Sequence, residues 1–205
     1  MVQKEPRPRG RPRSFDADAA LEKARAVFWN QGYAATSLDE LSAATGLNRP
    51  SLYGAFGDKH ALYTAALERT RDEAVASIGG LFAQDLPLRD TLGRLYAGAI
   101  RAYSAGDARQ RGCFLIGTAV TQSVDDPAAR EILAGFLAQM DRLFGERFSR
   151  AQGVGQLAPG LTAAAAAPLA SASLHSLAIR ARAGAGEAEL HAIAAGAVDL
   201  FCAPD

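Results

Sequence analysis

Ser37-Leu-Asp-Glu-Leu-Ser-Ala-Ala-Thr-Gly-Leu-Asn-Arg-Pro-Ser-Leu-Tyr-Gly-Ala-Phe-Gly-Asp-Lys-His-Ala-Leu62 decides how this chain folds. Ser37 with Glu40 is a capping box, the serine oxygen and the glutamate covering orphan amides reciprocally. The helix it opens carries Leu38, Leu41 and Ala44 on one face and stops at Thr45-Gly46, where the chain needs a backbone conformation most residues avoid. Asn48 caps a third, short helix with Pro50 in its first turn, where a missing N–H costs little. That helix ends near Phe56-Gly57, and Asp58 caps a fourth, longer one reaching to about Ile78. Two helices joined by so tight a turn form a helix-turn-helix, pinned by Leu41, Leu47, Leu52 and Phe56. The other face of the third helix presents Asn48, Arg49, Ser51 and Tyr53, donors and an amphipathic ring in place of the Glu/Lys mixture of an ordinary wet surface.

Upstream, Ala17, Ala20, Leu21, Ala24, Val27 and Phe28 recur at helical spacing, with Asp16 and Asp18 at the positive end and Gly32 as the stop. Before them, residues 1–13 hold Lys4, Arg7, Arg9, Arg11 and Arg13 against Glu5 alone and have almost nothing to bury. That composition predicts a disordered basic arm. It reads either as a solubility tail or, through Arg9-Gly-Arg11-Pro-Arg13, as an element for the narrow negative minor groove of A·T-rich DNA.

Downstream of the Gly79-Gly80 break, helices are expected at about 88–104, 110–123, 126–151, 162–183 and 187–202, with no window alternating like a half-buried strand. The expected fold class is all-α with about nine helices. Its divisions are an arm at 1–13, a helix-turn-helix domain at 14–60 and a helical domain at 61–205.

Residues 14–67 resemble the DNA-binding domain of the TetR family of transcriptional regulators. The resemblance rests on Phe28, Gly32, Tyr33, Thr36-Ser37, Leu41 to Leu47 and the run Ser51-Leu-Tyr-Gly-Ala-Phe-Gly-Asp-Lys-His-Ala-Leu62. It implies that Thr36 with the start of the second helix, Tyr53 and Lys59 hold phosphates, while Arg49 and Ser51 reach base edges in the major groove. Asn48-Arg49-Pro50 departs from the small or hydroxylated residues common there, so the DNA sequence read is left open. The resemblance also implies a double-stranded DNA operator as partner and a homodimer joined through the last two helices, which are rich in alanine. A two-fold operator needs two recognition helices about 34–36 Å apart. The best reading is a repressor released by a small-molecule effector; an effector-independent architectural DNA binder is the alternative.

Leu95, Tyr96, Ile100, Tyr103, Phe114, Phe136, Met140, Phe144 and His175 are the candidate effector-pocket residues, and the same set serves equally as core. Their apolar, aromatic character points to a hydrophobic or aromatic effector. Cys113, in Arg111-Gly-Cys-Phe-Leu-Ile116, has three readings: packing, pocket lining or a reactive switch. The run resembles a TetR subgroup in which a cysteine begins this helix, some members sensing electrophiles or oxidants. A helix N-terminus with Arg109 and Arg111 would favour its thiolate. Cys202 gives no stronger case for reactivity.

Composition sets the remaining bounds. In 205 residues, 22 basic and 22 acidic side chains cancel, while 49% hydrophobic content supplies a core. Two cysteines rule out a disulfide framework. The longest apolar stretches, 163–172 and 192–201, fall short of the roughly 18 residues of a membrane span, and the first residues hold no apolar signal segment, so a cytoplasmic location is expected. No His-Glu-x-x-His, phosphate loop or Gly-x-Ser-x-Gly is present, His175 and His191 have no neighbouring ligands in sequence, and neither enzyme chemistry, metal nor cofactor is expected.

Overall fold

Each of the first four helices starts where a side chain covers its free amides. Asp16 accepts from the N–H of Asp18 and Ala19 to open α1 (Ala17–Gln31). Ser37 and Glu40 complete their reciprocal box at α2 (Leu38–Thr45). Asn48 accepts from Ser51 at α3 (Arg49–Phe56), and Asp58 from Ala61 at α4 (Lys59–Phe82). Gly46, at φ 75° in the left-handed region, makes the α2–α3 turn. The computed structural model describes residues 15–104 and 112–204, and among these the chain is helical with a single isolated β-bridge, Leu157 to Cys202. The basic arm, with Arg11 and Arg13, lies outside the described residues.

Beyond α4 come α5 (Leu88–Ser104), a π-helical turn (Leu115–Ala119) running into the short α6 (Val120–Gln122), α7 (Pro127–Gly153), α8 (Ala163–Arg182) and α9 (Glu187–Phe201). Two sequence expectations need correcting. The fourth helix does not break at Gly79-Gly80 but continues to Phe82, whose ring meets Phe144 edge-on at 5.0 Å. Burial of Ile78 and Phe82 outweighs the roughly 1 kcal/mol that each helical glycine costs. The regular helix expected at 110–123 is instead, in its described part, a π-helical turn and a three-residue α6 behind Gly112, itself at φ 65°. A Cβ on Gly112 would lie 2.4 Å from the carbonyl oxygen of Ala178, and one on Gly117 would lie 3.2 Å from Cδ of Arg182. At Gly112 the segment therefore crosses α8 too closely for an ordinary side chain, and the π-helical stretch that follows is a single turn, the usual form of this rare helix.

α1 is tied along α4 by Arg25–Glu73 and Arg69–Asp18 ion pairs at 2.6 and 2.8 Å. Polar contacts also join this N-terminal unit to the helices behind it. Tyr63 donates to the Thr118 hydroxyl at 3.0 Å, Arg182 donates to the Trp29 carbonyl at 3.0 Å, and His60 Nε2 meets Asp126 Oδ2 at 2.8 Å. Asp126 is buried and also caps α7 by accepting from Ala128 and Ala129. Burial alone would raise its pKa, but these amides and His60 outweigh burial and hold it below the ordinary 3.8. A depressed folded-state pKa stabilises fully above the unfolded-state value, and that contribution drains away as pH falls through the folded one. Melting temperature should therefore drop below about pH 4. Asp126→Asn should melt lower at neutral pH and show a smaller acid decline; an unchanged decline would remove Asp126 as its source.

Candidate functional site

α3 is two turns long, so tertiary contact has to hold it. Leu52 and Leu41 are buried beneath it, and its outer face is left to solvent. Arg49 and Asn48 are exposed there, Ser51 is half-buried, and Tyr53 keeps 48% of its surface free. Asn48 spends its side-chain oxygen on the Ser51 amide at 2.9 Å, which leaves its NH2 group to offer to DNA. Arg49 is not a free guanidinium. It grips Asp39 of α2, with Nε 3.1 Å from Oδ1 and Nη2 at 2.7 and 2.8 Å from the two oxygens. Asp39 was not among the residues singled out from sequence, and its only signal is an acidic position in the first turn of α2.

Lys59, at the start of α4, is held by its surroundings. Its ammonium stands 4.4 Å from the centre of the Tyr33 ring, a cation–π contact that fixes it beside α2 and α3. Partial burial lowers its pKa, with Glu40 acting in the opposite direction. Tyr33 is itself fixed against Tyr63 and Phe28, at ring separations of 4.9 and 6.2 Å. Thr36 requires a correction. It is 2% exposed, its hydroxyl donates to the Gly32 carbonyl at 2.7 Å and its N–H to Tyr33 at 3.3 Å. Its side chain closes the loop before α2 and leaves nothing to offer a phosphate.

A capped two-turn helix with an arginine and a tyrosine outward and a half-buried serine, flanked by a fixed lysine, is the geometry of a DNA-reading helix. Comparison with known proteins agrees. The pattern described as "Bacterial regulatory proteins, tetR family" matches residues 20–66. The transcriptional repressor ComR of Escherichia coli is 32% identical over 194 residues, covering 94% of this chain and 92% of its own. The chain belongs to the TetR family. It is a DNA-binding transcriptional regulator. BdcR of Escherichia coli, also a transcriptional repressor, is 31% identical over 134 residues, or 64% of this chain and 65% of its own. A cysteine mutant of the TetR-family regulator CifR, solved with 26-base-pair operator DNA, superposes with TM-score 0.82 at 29% identity, over 94% of this chain and all of that one.

Leu169 and Ile179 on α8 and Leu200 on α9 are exposed by 58%, 58% and 61%. Other apolar residues of the same two helices point the other way. Leu174, Leu177, Leu190, Val198 and Phe201, with Ala167, Ala170, Ala178, Ala181 and Ala194, are buried in their own protomer. Sequence periodicity marks the apolar faces of a helix without saying which partner each face meets.

The candidate effector residues divide in the same way. Leu95 and Tyr103 line a cleft of about 310 Å³ between α4 and α5, whose other walls include Ile78, Leu81, Ala99 and Leu174. Burial pushes the Tyr103 phenol well above its ordinary pKa. Tyr96 faces a second cleft, between α5 and α9, and donates to the Ala170 carbonyl at 3.0 Å. Ile100, Phe114, Phe136, Met140 and Phe144 are core, all at most 3% exposed. His175 is partly buried beside Phe136, at 5.8 Å, and burial lowers its pKa. Ile78 and Leu81 add a wall from α4, upstream of Leu95, where the candidate pocket residues begin. Burial also pushes the Cys113 thiol up, against the pull of the Leu115 and Ile116 amides, which is the opposite of what a reactive thiolate needs.

Proposed function

We propose that this regulator is a repressor that binds a palindromic operator as a homodimer and is released by a hydrophobic or aromatic small molecule. The outward face of α3 carries the reading. Residues 14–60 form the DNA-binding part and 61–205 the effector and dimer part. Arg49 and Ser51 read bases, while Asn48, Tyr53, Lys59 and the first turn of α2 hold the backbone. Arg11 and Arg13 of the arm enter the flanking minor groove. The exposed faces of α8 and α9 meet their two-fold mates, and the α4–α5 cleft, with Leu95 and Tyr103, takes the effector. Cys113 is a packing residue here, although the Gly112-Cys113-Phe114 run resembles that of the cysteine-bearing subgroup.

α4 supplies the mechanism. Its 24 residues span about 36 Å, from Lys59 at the DNA to the cleft at Ile78 and Leu81. A ligand wedged into the cleft displaces the far end, and the near end carries α3 with it. Two recognition helices must match the major-groove repeat, so a small change in their separation costs one half-site. The ligand must favour the DNA-incompetent state; a coupling of ~1–3 kcal/mol weakens operator binding about 5–150-fold, and operator weakens ligand binding equally.

The operator is selected by the wild-type protein from a random DNA pool, and affinities are then measured against it. Arg49→Ala should relax preference at one base pair per half-site, by roughly 1–3 kcal/mol. Lys59→Ala should weaken all sequences alike and flatten the salt dependence. An unchanged preferred sequence in Arg49→Ala would remove base reading from that residue.

A further inference from the structure

We propose that Asp39 is a positioning residue for base reading: it holds the Arg49 guanidinium by its Nε/Nη2 edge so that the Nη1/Nη2 edge meets N7 and O6 of a guanine in each half-site. The proposal rests on Arg49 entering the major groove and deepens that reading. Asp39 stands in the first turn of α2 and Arg49 opens α3, so their contact spans the turn of the helix-turn-helix. Both Asp39 oxygens lie on one edge of the guanidinium, Oδ1 shared by Nε and Nη2 at 3.1 and 2.7 Å and Oδ2 on Nη2 at 2.8 Å. A guanidinium has five N–H donors. This grip uses the Nε–H and one Nη2–H and leaves a parallel pair, one from each terminal nitrogen. Among the described residues that pair meets no protein acceptor. Its fork matches the two acceptors that guanine alone presents side by side in the major groove.

Stability does not account for the contact. The arginine and aspartate side chains are 54% and 77% exposed, and pairs so exposed contribute little to folding. The contact accounts better for selectivity. An unpaired arginine on this surface would swing to the nearest phosphate, a contact that carries no sequence information. With Asp39 attached, the pair has no net charge, so phosphate attraction weakens and the matched acceptors of a base gain by comparison. Holding the long side chain in place before binding also reduces the rotamer freedom lost on the DNA. Asp39 gains as well, since an unneutralised carboxylate at the DNA-facing end of α2 would repel the phosphates expected there.

The test uses the operator selected by the wild-type protein, the same operator with 7-deazaguanine (lacking the N7 acceptor) at each guanine in turn, and the variants Asp39→Asn, Arg49→Ala and their combination. In the wild type, one guanine per half-site should be sensitive to loss of N7. Asp39→Asn should reduce the preference for that guanine roughly tenfold and leave binding to non-operator DNA equal or tighter. In the Arg49→Ala background the same substitution should change the preference no further. Full guanine preference in Asp39→Asn, while Arg49→Ala loses it, overturns the positioning role and spares base reading by Arg49. An equal effect of Asp39→Asn with and without Arg49 overturns it too, as does a parallel loss on all DNA accompanied by a lower melting temperature. Retained preference in Arg49→Ala removes both the base reading and this proposal.

Discussion

Aspartates at Ile179 and Leu200 together should convert the protein to a monomer and reduce operator affinity by a factor of at least about a thousand, the lower end of the ratio between specific and non-specific DNA binding. Both side chains lie on the outer faces of α8 and α9, mostly exposed in the single chain, so the substitutions insert no charge into the protomer core. In a two-fold interface each substitution appears twice, and desolvating four unpaired carboxylates costs more than the apolar contact supplies. A monomer carries one recognition helix and loses the second half-site. Sedimentation should move from twice 21.4 kDa to a single 21.4 kDa species, with the melting transition still cooperative. Dimers that persist in the double variant would place the interface elsewhere. A monomer with full operator affinity would end the proposal of a two-fold operator.

Gly112→Ala should cost roughly 2–5 kcal/mol, summing a left-handed backbone penalty and overpacking. The residue sits at φ 65°, and the added Cβ would meet the Ala178 carbonyl oxygen at 2.4 Å and Arg182 Cβ at 3.2 Å. The close atom is helix backbone in α8, which cannot move aside as a side-chain tip does. Gly46→Ala is the useful contrast. Its φ is 75° with nothing within 4 Å of the added Cβ, so only the backbone penalty of ~1–2 kcal/mol applies. Urea unfolding of the two variants separates the terms, and equal losses would mean that the crossing at Ala178 yields easily. Gly112→Ala should also weaken operator binding. Arg182, beside the same crossing, donates to the Trp29 carbonyl at the end of α1 and so helps set how the DNA-binding helices sit on the rest.

Serine, asparagine and aspartate at helix starts, with glycine at the stops, act over three or four residues. The boundaries of α1, α2 and α3 and the start of α4 were therefore legible in the sequence. The helix-turn-helix was legible too, through the tight Thr45-Gly46-Leu47 connection between α2 and α3. Where local signals and packing disagree, packing decided. Gly79-Gly80 read as a stop, yet α4 runs through it because Phe82 has Phe144 to bury against. Gly112 and Gly117 carry no local mark of a π turn, which follows from the near approach of α8, remote in sequence. Core and pocket draw on the same apolar residues, so only the assembled helices separate Phe114 and Met140, fully enclosed, from Leu95 and Tyr103 at the cleft. Thr36 matched the DNA-contacting pattern, but the fold turned its hydroxyl inward to Gly32. The Asp39–Arg49 grip spans ten residues and the turn between two helices. No periodicity encodes such a contact; it exists because Gly46 bends the chain until the first turn of α2 faces the first turn of α3.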